Sequence, residues 1–243
     1  MTQFYKVAGL TVSMDTFGRT LEQAAPYLCE PCETCDIELM STLEKSRPFY
    51  QKDWPDVTDS DVEYMTSGFQ FYRKLLNFDG MMLHSSAVVV DGKAYLFSAT
   101  SGTGKSTHTQ LWLKMFGDRA FILNDDKPAL RLIDGVWYAF GTPWSGKHDI
   151  SVNTGVPVAG IVMVERAEEN EITPWSGKDA IFAIFTQVNR PRDMEFRVKL
   201  LELLDKLITQ VPVWKLRCNM DPDAARVSYQ AMSARRKDEN QRN

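Results

Sequence analysis

The chain lacks any long apolar run. Its longest mostly apolar stretch, Gly155 to Val164, contains Pro157 and falls well short of the ~20 residues that span a bilayer. It also lacks a basic segment followed by an apolar one at Met1 to Leu10, so no secretory signal is read and the expected location is the cytoplasm. There is no surplus of positive charge: 28 Lys and Arg against 32 Asp and Glu leave a net of −4. That balance excludes a broad pull on nucleic acid or anionic lipid, so a phosphate site must be built locally. Cysteine is sparse. Of four, three form Cys29-x-x-Cys32-x-x-Cys35, and Cys218 stands apart. In a reducing compartment this spacing suggests zinc or an iron–sulfur cluster before disulfides. Against that, no histidine lies near and a fourth ligand would have to come from far along the chain. Three free thiols in a surface loop is the stronger expectation.

What is present is ordinary for a globular protein: 243 residues, 44% hydrophobic and 25% charged, enough for a large domain with a smaller one. Residues 1–20 alternate in polarity (Phe4, Val7, Leu10, Val12) as a strand pair does. Residues 22–58 read as loops around a strand near Ile37–Met40. Ser60-Asp61-Val62-Glu63 reads as a capping box opening a helix whose apolar face is Val62, Met65, Phe69, Tyr72 and Leu76. Met82–Val90 and Ala94–Phe97 are expected as strands about the turn Asp91-Gly92. A helix over 105–116, a buried strand Phe121–Leu123, a hairpin about Asp134-Gly135 and a strand Val158–Val164 follow. Late helices are expected with Phe196, Leu200, Leu203 and Leu207 on one face, and from about Asp221 or Asp223, with a strand Val211–Leu216 between. Hairpins mixed with strand–helix units predict an α/β fold with a mixed sheet and helices on its faces. The string Thr-Pro-Trp-Ser-Gly-Lys occurs at 142–147 and at 173–178 without similar flanks. The second copy leads into Asp179 and an apolar helix start; the first is expected to run on extended.

The densest chemistry lies in Ser98-Ala99-Thr100-Ser101-Gly102-Thr103-Gly104-Lys105-Ser106-Thr107, between a strand and a helix. A phosphate-binding loop needs small residues so that backbone amides converge on phosphate oxygens, a lysine to neutralise charge, and a hydroxyl for Mg²⁺. Gly102 and Gly104, Lys105 and Ser106 supply these, and the helix N-terminus adds its dipole. Ala99 stands where the common pattern has glycine. Twenty residues beyond Lys105, a short strand ends in Asn124-Asp125-Asp126. One carboxylate could hold Mg²⁺ and the other take a proton from an attacking hydroxyl. By itself His84 reads as structural.

Leu83-His84, a strand hairpin, Ser101–Ser106 and Asp125-Asp126 together resemble the catalytic domain of HPr kinase/phosphorylase, whose nucleotide fold is shared with ATP-dependent phosphoenolpyruvate carboxykinase. The likeness covers roughly residues 80–165. It implies that Ser101, Gly102, Thr103, Gly104, Lys105, Ser106 and Thr107 hold ATP phosphates. It also implies Mg²⁺ on Ser106 and Asp126, Asp125 as the base, and His84 beside the transferred group. The chain is too short for a carboxykinase. In place of the region that follows the aspartates in HPr kinases stands Gly141-Thr142-Pro143-Trp144-Ser145-Gly146-Lys147-His148. Lys147 and His148 are candidates for an anionic substrate or the γ-phosphate, Trp144 for a pocket wall, and Arg166 for a charge stabiliser.

The expectation is therefore a P-loop domain of the HPr kinase/carboxykinase type over 80–234, with a small α+β region over 1–79 and a charged tail over 235–243. Its function would be an ATP- and Mg²⁺-dependent kinase acting on a hydroxyl of a small molecule or peptide, serine among the candidates. No nucleic acid or membrane partner is expected, and a homo-oligomer stays open. The alternatives are a nucleotide-regulated binding module without transfer, and a metalloprotein built on the three clustered cysteines.

Overall fold

A computed structural model describes residues 2–100 and 102–240. Ser101, one of the expected phosphate contacts, lies outside the described residues. The chain opens with the hairpin β1 (Gln3–Val7) and β2 (Leu10–Met14), followed by α1 (Gly18–Ala24), β3 (Leu28–Cys29), β4 (Ile37–Leu39) and α2 (Leu43–Tyr50). The strands form a small sheet in the order β3-β1-β2-β4. The expected strand near residue 37 is β4, but the loops around it hide two helices. Pro48 sits inside α2, where it removes one backbone bond; packing on the next helix holds this segment helical.

That next helix, α3 (Asp59–Leu75), is capped by Thr58, two residues before the expected cap. Thr58 accepts from the Asp61 amide at 3.1 Å and Asp61 reaches back to the Thr58 amide at 3.2 Å. The Ser60 hydroxyl instead accepts from the Arg19 amide at 2.9 Å, and Glu63 is buried. The buried face carries Val62, Tyr64, Phe71, Tyr72 and Leu75, whereas Phe69 is 46% exposed and Met65 half-buried. This face closes a core with Tyr5, Val12 and Met14 of the small sheet, and Ala129 and Trp144 from the second half of the chain belong to the same core.

The large sheet runs from β5 (Gly80–Met82) through the hairpin β6 (Ser85–Val90) and β7 (Lys93–Ser98), then α4 (Lys105–Phe116), β8 (Ala120–Asp126), the hairpin β9 (Ala129–Ile133) and β10 (Val136–Phe140), and the long β11 (Gly155–Arg166). The remaining elements are β12 (Glu171–Pro174), α5 (Gly177–Phe185), α6 (Met194–Gln210), β13 (Val213–Cys218) and α7 (Asp223–Asn240). The strand order is β5-β9-β10-β11-β7-β6-β8, with β13 also on β11 and β12 on β13. β11 pairs antiparallel with β10 through its first residues and parallel with β7 and β13 beyond them, so the mixed sheet curls.

Both faces are covered, which is why the central strands read as unbroken apolar runs. Leu96, Ile161 and Met163 meet Leu200, Leu203, Leu204 and Leu207 of α6 on one face. Tyr95, Phe97, Val162 and Val164 meet Leu111 and Trp112 of α4 and Ala224 and Met232 of α7 on the other. The expected late strand begins at Val213 instead of Val211, and α7 runs to Asn240, into the segment expected as a tail. Among the described residues no helix is long and apolar enough to cross a membrane.

Candidate functional site

β7 lies in the middle of the sheet between β11 and β6, and from its end at Ser98 the chain passes into α4 at Lys105. Gly104 is the N-cap of α4 with φ 117°, a conformation open mainly to glycine, and no side chain caps the helix. The first amides of α4 therefore stay available to a ligand. Arg166, at the end of β11, grips the loop from outside: Nε donates to the Thr103 carbonyl at 3.0 Å and Nη2 to the Gly102 carbonyl. It thus holds the loop's shape while also lining the cleft. Lys105 Nζ donates to the Ala99 carbonyl at 3.0 Å. Partial burial lowers its pKa, and the charges of Asp126 and Asp125 oppose that shift.

Asp125 and Asp126 close β8 beside β6, in register with Ser86 and Ser85. Adjacent strand residues point to opposite faces, and their partners differ accordingly. Asp125 faces α4. Ser106 Oγ lies 3.3 Å from both of its oxygens, and His148 Nδ1 is 2.8 Å from Oδ2. Asp126 faces the other way, with His84 Nε2 at 2.9 Å and Lys127 Nζ at 3.1 Å. Burial works to raise the Asp126 pKa, but the His84 hydrogen bond and the Lys127 charge outweigh it and hold the carboxyl at about 2. His84 is fixed in turn by Gln187, which accepts its backbone amide at 2.7 Å and places Oε1 3.0 Å from Nδ1.

Ser106 and Asp126 were the pair expected to share Mg²⁺, and the structure brings a different carboxylate to the serine. Ser106 meets Asp125 instead of Asp126. Neighbouring ligands of an octahedral Mg²⁺ with ~2.1 Å bonds stand ~3.0 Å apart, close to the separation between Ser106 Oγ and the Asp125 carboxylate. The oxygens of Asp126 are already engaged by the His84 ring and the Lys127 ammonium. Ser106 with Asp125 is thus the pair of oxygen donors whose spacing would suit a Mg²⁺ ion. Among the described residues no group of three or more His, Cys, Asp or Glu side chains is arranged to hold a metal alone, and Cys29, Cys32 and Cys35 are free thiols.

The cleft in front of the loop has a volume of about 660 Å³. It gathers Gly102, Gly104, Lys105, Ser106, Thr107, His84, both aspartates, Lys147, His148 and Arg166, residues spread over more than eighty positions of sequence. Thr103 sits behind, in the turn closed by its hydroxyl contact with Thr100 at 2.8 Å. Trp144 is not in this cleft. It is 1% exposed, stacks on Phe71 at 4.8 Å and donates its indole N–H to Ser67. It walls a smaller cavity instead. The stretch after the first Thr-Pro-Trp-Ser-Gly-Lys copy, expected to run on extended, begins instead in a turn over 146–149 and meets the sheet only at the Ser151–Asn124 bridge; the turn explains why glycine stands at 146. Its φ is +78°, and a Cβ would lie 2.5 Å from Asp126 Cβ.

Arg19, Tyr64 and Lys127 join the cleft without having been singled out in the sequence. Arg19 lies over the Tyr64 ring at 4.1 Å, pairs with Asp149 at 2.6 Å and donates to the Gly146 carbonyl. Nothing local in the sequence marks Arg19. Lys127, directly after the aspartates, carried a signal that its turn-like neighbourhood (Asn-Asp-Asp-Lys-Pro) obscured.

No curated protein matches the chain. Among solved structures, the Hpr(Ser) kinase/phosphatase from Coxiella burnetii aligns with 65% of this chain and 98% of its own, at 12% identity and a TM-score of 0.38. Likeness at that level leaves the chemistry to be argued from this chain's own side chains. The model of the SynChlorMet cassette protein ScmC family matches residues 55–223, a span holding every cleft residue except Arg19 and Trp54. The chain belongs to the SynChlorMet cassette protein ScmC family.

Proposed function

We propose that the cleft binds ATP with Mg²⁺ and transfers the γ-phosphoryl group to a hydroxyl of a small molecule or peptide. The observation that carries this reading is the contact of Ser106 with Asp125 at the uncapped start of α4, with a second, ionised carboxylate, Asp126, lining the same cleft from the end of β8. Phosphoryl transfer asks for positioning and charge neutralisation more than covalent chemistry, and this donor set supplies both. Lys105 and the amides of 102–107 receive the phosphates. Ser106 and Asp125 hold the metal, which when bound neutralises charge on the transferred group. Asp126, about a quarter exposed against 4% for Asp125, is the carboxylate an acceptor can reach. As the acceptor oxygen bonds to phosphorus and the bond to ADP breaks, the hydroxyl proton passes to a free lone pair of Asp126; a carboxyl held at about 2 is a weak base, so it receives the proton late, once the loose transition state has made the acceptor oxygen acidic. His84 and Lys127 orient Asp126, His148 orients Asp125, and Lys147 and Arg19 add positive charge at the rim.

The test is label transfer from γ-labelled ATP to an extract or acceptor panel. Asp126→Asn should lower turnover by about 10²–10⁴-fold and leave nucleotide affinity within a few-fold. Asp125→Asn should weaken Mg²⁺-dependent nucleotide binding as well. Full turnover in Asp126→Asn would overturn the base assignment. Tight ATP binding without label transfer in the unaltered protein would instead support a nucleotide-regulated binding module.

A further inference from the structure

Beside the main cleft lies a second cavity of about 230 Å³ between α2, α3 and the start of the large sheet. Its wall is apolar and aromatic: Tyr50, Met65, Phe69, Tyr72, Met82 and Trp144. Asn189 and Lys127 are its polar lining. Tyr64, Met65 and Lys127 line both spaces, and Lys127 is the residue paired with Asp126. The cavity therefore opens beside the carboxylate that would receive the acceptor. None of its lining comes from the loop 99–107 or from Arg166. Thr100, Thr103, Val164 and Arg166 border a further open space of about 410 Å³ that shares Gly102 and Arg166 with the main cleft and offers room for the nucleoside end of ATP.

We propose that the 230 Å³ cavity is the specificity pocket for the acceptor, and that it takes one large apolar or aromatic side chain carried on the same residue as the phosphorylated hydroxyl or on its neighbour. This deepens the kinase reading and rests on it. The size fits: an apolar cavity of about 150 Å³ suffices for a benzene ring. The composition fits too, since recognition sites pair an apolar wall with a few polar groups that fix orientation. Partial exposure of Met65 and Phe69 on the apolar stripe of α3, where core was expected, is then explained. They leave the core packing to Tyr64, Phe71 and Leu75 and face a ligand instead.

The experiment uses N-acetylated dipeptide amides that join serine to Trp, Leu, Gly or Asp, with γ-labelled ATP, on the full chain and on Phe69→Asp and Phe69→Leu. Phe69 is exposed enough for a charge there to leave the fold intact. The expected result is a preference in kcat/KM of at least about tenfold for Trp or Leu over Gly, the ratio that burying one large side chain supports. The preference should vanish in Phe69→Asp, return in Phe69→Leu, and leave ATP affinity unchanged in both. Equal rates across the panel would overturn the pocket assignment while the kinase reading stands. A fall in ATP affinity in Phe69→Asp would assign the cavity to the nucleoside and also overturn it. If no peptide is labelled, the kinase reading fails on these acceptors, and binding of 5-fluoroindole followed by fluorine NMR decides the pocket. Binding lost in Phe69→Asp supports an apolar ligand site; no binding in the unaltered chain overturns it.

Discussion

Thr142–Lys147 and Thr173–Lys178 share the sequence Thr-Pro-Trp-Ser-Gly-Lys, yet they occupy different environments. In the first copy the Thr142 hydroxyl is buried between Tyr72 and Asn124, Trp144 and Ser145 are buried, and Gly146 lies against Asp126. In the second, Thr173 and Pro174 finish β12 against Lys215 and Trp214, and Trp175 stays partly open beneath the Lys215 ammonium. There Ser176 caps α5 by accepting from the Asp179 amide at 3.3 Å. Six residues without a strong preference take the shape their neighbours dictate. The second copy is followed by Asp179 and an apolar helical stretch, so Ser176 becomes a cap. The first is surrounded by the end of β8 and by α3, which bury its tryptophan and bring its lysine to the cleft.

That contrast can be broken residue by residue. Trp144→Ala should cost about 3–5 kcal/mol of stability through the cavity it opens, whereas Trp175→Ala should cost far less; chemical denaturation of both variants compares them. Similar losses would show that the two rings do equivalent packing. Gly146→Ala should come next. Its positive φ and the crowding against Asp126 displace the carboxylates, so phosphoryl transfer should fall by at least about tenfold while the fold survives. Lys147→Ala should weaken nucleotide or acceptor binding several-fold, and Lys178→Ala should leave both untouched; titration with ATP separates them. Ser176→Ala should destabilise by about 0.5–2 kcal/mol through loss of the cap, with no effect on turnover.

A last and smaller test concerns what the first copy rests on. Trp144 donates to Ser67, and Ser67 adjoins Glu63, whose carboxyl is pushed up to about 7 by burial. A folded pKa above the unfolded 4.5 means that the stability of the neutral buried acid is fully present below 4.5 and is lost as pH rises through 7. The denaturation midpoint should therefore fall between about pH 4.5 and pH 7, and less steeply in Glu63→Gln. Parallel curves for the two proteins would remove Glu63 from that account.

Much of the second half was legible because its signals are local. Asp91-Gly92 and Asp134-Gly135 mark two-residue hairpin turns, and both turn residues have positive φ in the structure. The helix after Lys105 follows the expected 105–116 bounds. The first eighty residues were harder. Prolines and acidic residues hid α1 and α2, and two overlapping cap patterns, at Thr58 and Ser60, competed for the start of α3. Burial chose between them, because starting at Thr58 lets Ser60 receive the Arg19 amide and tie α1 to α3.

The sequence by itself determined that a small-residue loop with lysine and serine lies between a strand and a helix, and that two carboxylates end a neighbouring strand. Spacing, turn chemistry and periodicity act over a few residues and need no partner. Only the tertiary structure decided which aspartate meets Ser106. Strand alternation requires Asp125 and Asp126 to face opposite ways, but the side on which α4 packs selects Asp125 for the serine and leaves Asp126 to His84 and Lys127. The burial of Trp144 and the arrival of Arg19 were decided in the same way, since both depend on contacts between residues more than seventy positions apart.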